Sequence, residues 1–437
     1  MAYTLPKVTI LLQRLFKKIS GCKKNGHHVK HILHAVKRFL HLQQKKSMLS
    51  FENTEIAFRY KTNADLSRAR MLFTAIANPG LVKVGKSLTY FALNMHLPVA
   101  WAIKPTLYKH FVGGETLDEC EKTVRLLRKF KVHSILDYSV EGGKDQVTMQ
   151  RTLDETLRSV VHAAKNPDIP FAVFKPTAFA SQQVLTMASE NNIPDEETAK
   201  AIQFFRDSVE TLCKTAFENN IPIMIDAEDS WYQPFVDQVV TGMMEKYNKQ
   251  KAIVYNTLQM YRTDRLDFLK DALRKAEEGN YYLGMKFVRG AYMEKERKRA
   301  AERGYPSPIQ PDKDATDRNY DAGIAFSVDH LDRISVFNGS HNEKSNRLLT
   351  EQMERLSIPR NENRIWFSQL YGMSDHISFN LADEGYNVTK YIPYGPVRNI
   401  LPYLIRRAEE NTSIAGQTGR ELALLEQERL RRKSKQM

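Results

Sequence analysis

At 437 residues and 42% hydrophobic content, the chain is long enough for one large domain or two ordinary ones, with a sizeable core. Three cysteines without paired or metal-like spacing (Cys22, Cys120, Cys213) argue against a disulfide framework and for a reducing compartment. The net charge of +14 does not indicate a nucleic-acid binder, because eleven of the positives precede Glu52 in an acid-free segment and removing them leaves +3.

That segment, residues 1–47, has helical apolar stripes at Ile10, Leu11, Leu15 and Ile19 and again at Ile32, Leu33, Val36 and Leu40. It reads as a mitochondrial transit peptide, as a membrane-surface helix, or as translated upstream sequence ahead of Met48, where composition becomes ordinary; the last is favoured. Its histidines (His27, His28, His31, His34, His41) are closely spaced, but lying in this segment they are a poor candidate for a metal site. No apolar run in the chain approaches the roughly 20 residues that span a bilayer, so a soluble or peripheral protein is expected.

Residues 48–131 read as a helical arm. Asn63-Ala64-Asp65 opens an amphipathic helix through Leu66, Ala69, Leu72, Phe73 and Ile76, which Asn78-Pro79-Gly80 ends. A second helix is predicted near 81–95. A third opens at Thr116, with Glu119 at the capping-box position, and runs to about Lys131.

From residue 132 the pattern changes. Short runs, apolar on both parities, occur at 132–138, 170–175, 221–226, 251–259, 282–289, 334–338, 364–370 and 388–392. Such runs mark parallel strands buried on both faces. Helical stretches at 148–164, 195–219, 231–247, 262–278, 314–331, 342–356 and 374–384 separate most of them. The alternation predicts an α/β chain whose residues 132–437 form a (β/α)8 barrel.

Nearly every run stops at a polar residue: Asp137, Lys175, Asp226, Gln259, Arg289, His341, Gln369, Tyr391. A barrel brings these ends together at its C-terminal mouth, where active sites of this fold lie. Charges abutting runs such as PFAVF and IPIMI are costly to desolvate without partners, so Lys175 and Asp226 are read as functional. The stretch Tyr403–Asn411 adds an Arg406-Arg407 pair on a helix whose Leu401, Leu404, Ile405 and Ala408 form an apolar stripe. Asn399 is expected to cap that helix and to leave Pro402 in its first turn. Tyr403, Arg406, Arg407 and Glu410 then share a second face, and a guanidinium fork suits a carboxylate or phosphate. There is no GxGxxG after a strand, no P-loop, no HExxH and no Gly-x-Ser-x-Gly elbow. The mouth is cationic and aromatic, with Lys175, Lys286, Arg289, Arg406, Arg407, Tyr292 and Tyr391. It should bind an anionic small molecule, an anionic cofactor, or both. A Schiff-base aldolase using Lys175 and a non-enzymatic protein binding through its basic tail are the alternatives.

Seven motifs in one order resemble the proline dehydrogenase family: Phe174-Lys175-Pro176-Thr177, Ile225-Asp226-Ala227-Glu228, Thr257-Leu258-Gln259-Met260-Tyr261, Val288-Arg289-Gly290-Ala291-Tyr292, Gly339-Ser340-His341-Asn342, Tyr371-Gly372-Met373 and the stretch Tyr403–Asn411. The resemblance covers roughly residues 50–430 and is closest to single-function enzymes of Bacteroidetes-like bacteria and of mitochondria. It implies a distorted TIM-type barrel with its last helix over the mouth, FAD as cofactor, and oxidation of L-proline to Δ1-pyrroline-5-carboxylate, with a membrane quinone receiving the electrons. By the resemblance, Lys175, Arg406 and Arg407 hold the proline carboxylate. Tyr292, Leu370 and Tyr391 enclose the ring, with Asp226 nearby as a catalytic residue. Ala227, Gln259, Arg289, Gly290, Ala291, Thr316, Ser340, His341 and Glu410 line the FAD site. Lys286 faces the flavin where some bacterial members carry arginine, and Glu141 pairs with Arg406 as a gate. The implied location is peripheral to the bacterial inner membrane, or on the matrix side of the mitochondrial one.

Overall fold

The computed structural model describes residues 49–94, 103–139, 145–192, 195–413 and 417–435. They belong chiefly to one compact unit, Phe51–Met437. The basic segment 1–47 and Glu141 lie outside the described residues.

Eight parallel strands form the centre: β1 His133–Tyr138, β2 Ala172–Phe174, β3 Ile223–Ile225, β4 Val254–Gln259, β5 Leu283–Val288, β6 Ile334–Gly339, β7 Ile365–Leu370 and β8 Val388–Tyr394. Each falls on one of the eight apolar runs. Hydrogen bonding follows the order β1-β8-β7-β6-β5-β4-β3-β2. The remaining gap is narrowed where Ser134 N–H, in β1, donates to Asp168 C=O at 2.9 Å, shortly before β2. The sheet is therefore a nearly closed (β/α)8 barrel. Inside it, the Phe171 ring meets Tyr255, Phe337 and Trp366 edge-on at centroid distances of 5.5, 5.2 and 5.4 Å. This aromatic plug, packed with Ile135, Val173 and Met224, fills the interior. A ligand can enter only at an end.

Ahead of the barrel come α1 Thr54–Phe58, α2 Asn63–Ile76, α3 Pro79–Asn94 and α4 Leu117–Arg128. A full capping box between Thr62 and Asp65 starts α2, one residue earlier than the sequence signal at Asn63. Pro79 begins α3 as well as ending α2, since its missing N–H costs nothing in a first turn. The Thr116 side chain caps α4 by accepting from Glu119 N–H at 3.3 Å, but Glu119 reaches Glu115 N–H instead of Thr116, which completes only half the box.

The helices between strands are α5 Gln146–Lys165, α6 Gln182–Ser189, α7 Glu196–Glu218, α8 Gln233–Tyr247, α9 Arg265–Glu278, α10 Met293–Arg303, α11 Lys313–Asp329, α12 Glu343–Arg355 and α13 Asp375–Asp383. After β8 come α14 Val397–Ser413 and α15 Gln417–Ser434. Three of these, α6, α10 and α15, go beyond the sequence expectation. α10 shows why: MEKERKRAAER buries only Glu296 and Ala300, so no apolar stripe announces it.

The start of α14 corrects the expectation for Asn399 and Pro402. The helix begins at Val397, and Pro402 lies inside it. Pro396 C=O accepts from Asn399 N–H at 2.9 Å and from Ile400 N–H at 3.2 Å, so the first turn forms there. Ile400, Leu401 and Leu404 are almost wholly buried, and their packing offsets the backbone bond lost at Pro402. The Tyr403, Arg406 and Arg407 face is also less exposed than a surface helix would be: Tyr403 is buried and both arginines are half-buried.

Candidate active site

The strand ends and α14 enclose a cavity of about 230 Å3 at the C-terminal mouth. That is below the roughly 300–1,000 Å3 of drug-sized pockets and suits a small solute. Lys175 follows β2, Asp226 follows β3, Lys286 lies in β5, Tyr391 in β8, and Arg406 and Arg407 come from α14; all six line the cavity.

These groups hold one another. The Asp226 carboxylate accepts from Lys286 Nζ at 2.5 Å and from the Tyr391 hydroxyl at 2.8 Å. Lys175 Nζ donates to Asp137 Oδ2 at 2.5 Å, and Ser139 Oγ also donates to that carboxylate. Both ammonium groups stand over the Tyr391 ring, at 5.8 Å for Lys175 and 4.8 Å for Lys286. Burial would push Asp226 up, but Lys286 and Lys175 hold its carboxyl below the ordinary aspartate value. Burial would likewise lower Lys175, but Asp137 and Asp226 outweigh it and keep the ammonium charged above its usual range. A Schiff-base lysine must be free to lose its proton, so this pairing speaks against the aldolase alternative. Tyr391 is held protonated by burial and by the carboxylates of Asp137 and Asp226, so its hydroxyl donates. The mouth thus presents Arg406 and Arg407 beside two lysine–aspartate pairs, Lys175–Asp137 and Lys286–Asp226: a cationic site whose two aspartates are already compensated.

On the other side, Arg289 stacks 3.8 Å from the Tyr320 ring centroid and donates to Ser340 Oγ at 2.9 Å, Ser345 Oγ at 2.7 Å and Asp317 at 2.5 Å. His341 Nδ1 lies 2.9 Å from Ser374 Oγ, and burial among Lys390 and Arg407 lowers its pKa to about 3, so the ring is neutral. Gly290 takes φ +96°, and a Cβ there would meet nothing within 4 Å. A backbone that can be approached closely, next to an arginine, is the donor set a dinucleotide phosphate needs. The residues present fit FAD.

Of the residues expected at the site, Lys175, Asp226, Ala227, Lys286, Arg289, Gly290, Ala291, Tyr292, His341, Leu370, Tyr391, Arg406 and Arg407 line the cavity. Gln259, Thr316 and Ser340 do not. Gln259 is buried behind the wall, donating to the Glu228 carbonyl and to the Tyr261 hydroxyl. Thr316 Oγ1 donates to Asp312 C=O at 3.0 Å in the first turn of α11, and Ser340 supports Arg289. Glu141, the expected gate, and the side chains of Glu410 and Ala408 lie outside the described residues. Sequence reasoning assigned no role to Asp137, although it stands among the polar strand ends. It also passed over Glu228, which lines the cavity, accepts from Thr177 N–H at 2.9 Å and Thr177 Oγ1 at 2.8 Å, and is pushed up to about 7 by burial.

The model of the proline dehydrogenase family matches residues 120–420. The chain belongs to that family. It is 36% identical over 323 residues to carbapenem antibiotics biosynthesis protein CarD of Pectobacterium carotovorum subsp. carotovorum, covering 74% of this chain and 83% of that one. It is 32% identical over 427 residues to hydroxyproline dehydrogenase of Xenopus laevis, covering 89% and 91%. With mitochondrial proline dehydrogenase 1 of Dictyostelium discoideum it shares 32% over 389 residues, covering 78% and 67%. Among solved structures, proline utilization A of Bdellovibrio bacteriovorus superposes with a TM-score of 0.65 at 23% identity, a likeness of fold that covers 85% of this chain and about 40% of that one. Membership makes the chain an FAD-dependent proline dehydrogenase enzyme, an oxidoreductase of the first step of proline catabolism. The proline dehydrogenase relatives of Dictyostelium discoideum and Homo sapiens are named as mitochondrial, and no helix among the described residues is long and apolar enough to cross a membrane.

Proposed function

We propose that this enzyme oxidises L-proline to Δ1-pyrroline-5-carboxylate at the barrel mouth, with the substrate carboxylate on Lys175, Arg406 and Arg407. The observation that carries the reading is the convergence of these three cations on one small cavity whose aspartates are already engaged, Asp226 by Lys286 and Tyr391 and Asp137 by Lys175. Charge-assisted contacts from an ammonium and two guanidiniums fix a carboxylate in one orientation, which is the main requirement for presenting a ring C–H to an acceptor. Tyr292, Leu370 and Tyr391 enclose the ring, and their bulk excludes water. Arg289, Gly290, Ala291, Ala227 and His341, with Gln259, Thr316, Ser340 and Glu410 around them, hold FAD. When bound, FAD supplies the hydride-accepting chemistry of the reaction. Lys286 places a positive charge at its edge without the fork of an arginine. The ring loses two electrons and two protons as its C–N bond becomes C=N. The electrons pass to a membrane quinone, with the enzyme peripheral to the membrane that holds it, and Glu141 gates entry by pairing with Arg406.

Purified enzyme titrated anaerobically with L-proline tests the reading. Flavin absorbance should bleach with one equivalent of ring imine formed per flavin. A colourless protein, or flavin bands that proline leaves unchanged, would overturn it. The same titration with hydroxyproline reads the ring preference.

A further inference from the structure

The oxidation proposed above requires the substrate's ring ammonium to give up a proton, and the cavity must supply a group to take it. Asp137, Asp226, Glu228 and His341 line the cavity. Three of them are already engaged. Asp137 accepts from Lys175 Nζ and Asp226 from Lys286 Nζ, each at 2.5 Å, and a carboxylate paired with an ammonium is a weak base. Both ring nitrogens of His341 have partners, Nδ1 in Ser374 Oγ at 2.9 Å and Nε2 in Leu370 N–H at 3.5 Å. Glu228 is the exception. Among the described residues its carboxylate is held by hydrogen bonds from one residue, Thr177, whose N–H donates at 2.9 Å and whose Oγ1 donates at 2.8 Å. Thr177 lies in the turn Pro176–Ala178, two residues after Lys175, and Gln259 fixes the Glu228 backbone by donating to its carbonyl. An α-amino acid carries its amine and its carboxylate on one carbon. The group that accepts the amine proton must therefore stand beside the cations that hold the carboxylate, and Lys175 and the Glu228 clamp share one turn.

We propose that Glu228 is the catalytic base of the reaction, its carboxylate taking the proton of the substrate's ring ammonium. The N–H bond breaks with its electron pair staying on nitrogen, and the proton joins a Glu228 oxygen. That pair then forms the C=N bond as the ring hydrogen leaves with the electrons of its own C–H bond. The surroundings suit the task. Burial raises Glu228 and the adjacent Asp229 carboxylate adds to it, while the Thr177 donors and the Lys175 ammonium oppose them, and the balance lies at about 7. A group poised there takes up a proton and releases it again at neutral pH. Tyr232 on the same loop and Tyr292 after β5 are held protonated by burial and by the Glu228 charge, so neither competes as a base. Arg406 and Arg407 of α14 face the same cavity, and cations disfavour a bound ammonium, which eases the loss of its proton. The proposal rests on proline oxidation at this mouth and assigns the base for it.

The test is anaerobic stopped-flow reduction of the flavin-loaded full-length enzyme by L-proline across neutral pH, with rates counted per bound flavin. In the wild type the second-order rate constant, which reports groups of the free enzyme, should rise with pH through about 7. Glu228→Gln can keep both hydrogen bonds to Thr177 but cannot take a proton. Its limiting reduction rate should fall about a hundredfold or more, the half-saturating proline concentration should change little, and the rise through neutral pH should vanish. Thr177→Val removes one donor to the charged carboxylate and should move the rise to higher pH. A Glu228→Gln enzyme whose limiting rate stays within about threefold of wild type would overturn the proposal. So would a lowered rate whose rise through neutral pH persists, because another group then titrates and Glu228 only steadies the turn. A wild type whose flavin proline leaves unbleached would instead sink the oxidation itself, and the base with it.

Discussion

Two buried clusters in this molecule have nearly the same chemical composition and different surroundings. At the mouth, Asp226 meets Lys286 at 2.5 Å and Tyr391 at 2.8 Å, with Lys175 close by on Asp137. Behind it, Asp375 meets Lys390 at 2.9 Å, Lys61 at 3.0 Å and Tyr60 at 2.7 Å. Lys390 Nζ also donates to Met373 C=O at 2.5 Å, and Glu421 of α15 accepts from Ser374 N–H at 2.5 Å. The exposure of individual members differs, although Lys286 at the front (7%) and Lys61 at the rear (9%) are alike. Lys175 keeps 23% and Asp226 15%, both facing a cavity, whereas Lys390 keeps 0% and Asp375 3%. Lys390 lies next to Tyr391 in β8, so adjacent residues of one strand serve the two clusters on opposite faces. The rear cluster ties the helical arm to the barrel and to α15; the front cluster can exchange a protein contact for a substrate. Both clusters touch a cavity, but at the rear only Tyr60 and Lys61 reach one, whereas at the front the acid itself lines it.

The largest effect that would break this contrast is in the rear. Asp375→Asn leaves Lys390 and Lys61 buried without their counter-ion, and should cost about 3–5 kcal/mol in denaturant unfolding. The proline KM of the folded enzyme should stay within a factor of about two, as neither Asp375 nor Lys390 lines the substrate cavity. A large rise in KM would show that the rear cluster belongs to the site. The corresponding front changes, Arg406→Met and Arg407→Met, should each lose about 1.5–3 kcal/mol of substrate binding, read as a raised KM with flavin retained and the unfolding midpoint little changed.

Titration sharpens the comparison next. Lys390 and Lys61 hold the Asp375 carboxyl well below the aspartate range against the effect of burial. Its contribution to stability is therefore present above the ordinary aspartate value and lost as pH falls. Glu228, at the front, is raised to about 7 by burial. Its contribution is present below the ordinary glutamate value and lost as pH rises through about 7. Glu228→Gln should thus gain stability relative to wild type between about pH 5 and 8, by on the order of 1–3 kcal/mol. Unfolding curves of the two proteins that keep a constant separation across that range would remove Glu228 from the account. The smallest effect concerns neither cluster. Removing residues 1–47 should leave flavin content, proline oxidation with a soluble dye and unfolding midpoint unchanged, since the compact unit containing both clusters begins at Phe51. A colourless or insoluble product would contradict this.

The barrel was legible because each strand is buried on both faces, which leaves an apolar run such as IPIMI that few helices would show. The mouth was legible in part because charges stop those runs, as Lys175 and Asp226 do. The rear cluster was not. Lys390 interrupts VTKYIPY as if it were a solvent-facing residue of an exposed strand, and its partner Asp375 is shared with Tyr60 and Lys61, more than 300 positions earlier. Pairings across that separation leave no periodicity to read. The start of α14 was misplaced for a local reason: Asn399 is a good cap and Pro402 a good first-turn residue, yet tertiary packing of Ile400, Leu401 and Leu404 set the boundary at Val397. Arg406 and Arg407, which alone resemble surface charge, come to line the cavity only through the elements beneath them.

The central claim is that the front cations recognise a carboxylate, and the comparison of L-proline with its carboxamide tests it most directly. kcat/KM should favour proline over L-prolinamide strongly in the wild type, and the ratio should fall by roughly tenfold or more in Arg406→Met and Arg407→Met, mostly through the loss with proline. A ratio that stays at the wild-type value in both variants would mean that neither arginine reads the carboxylate.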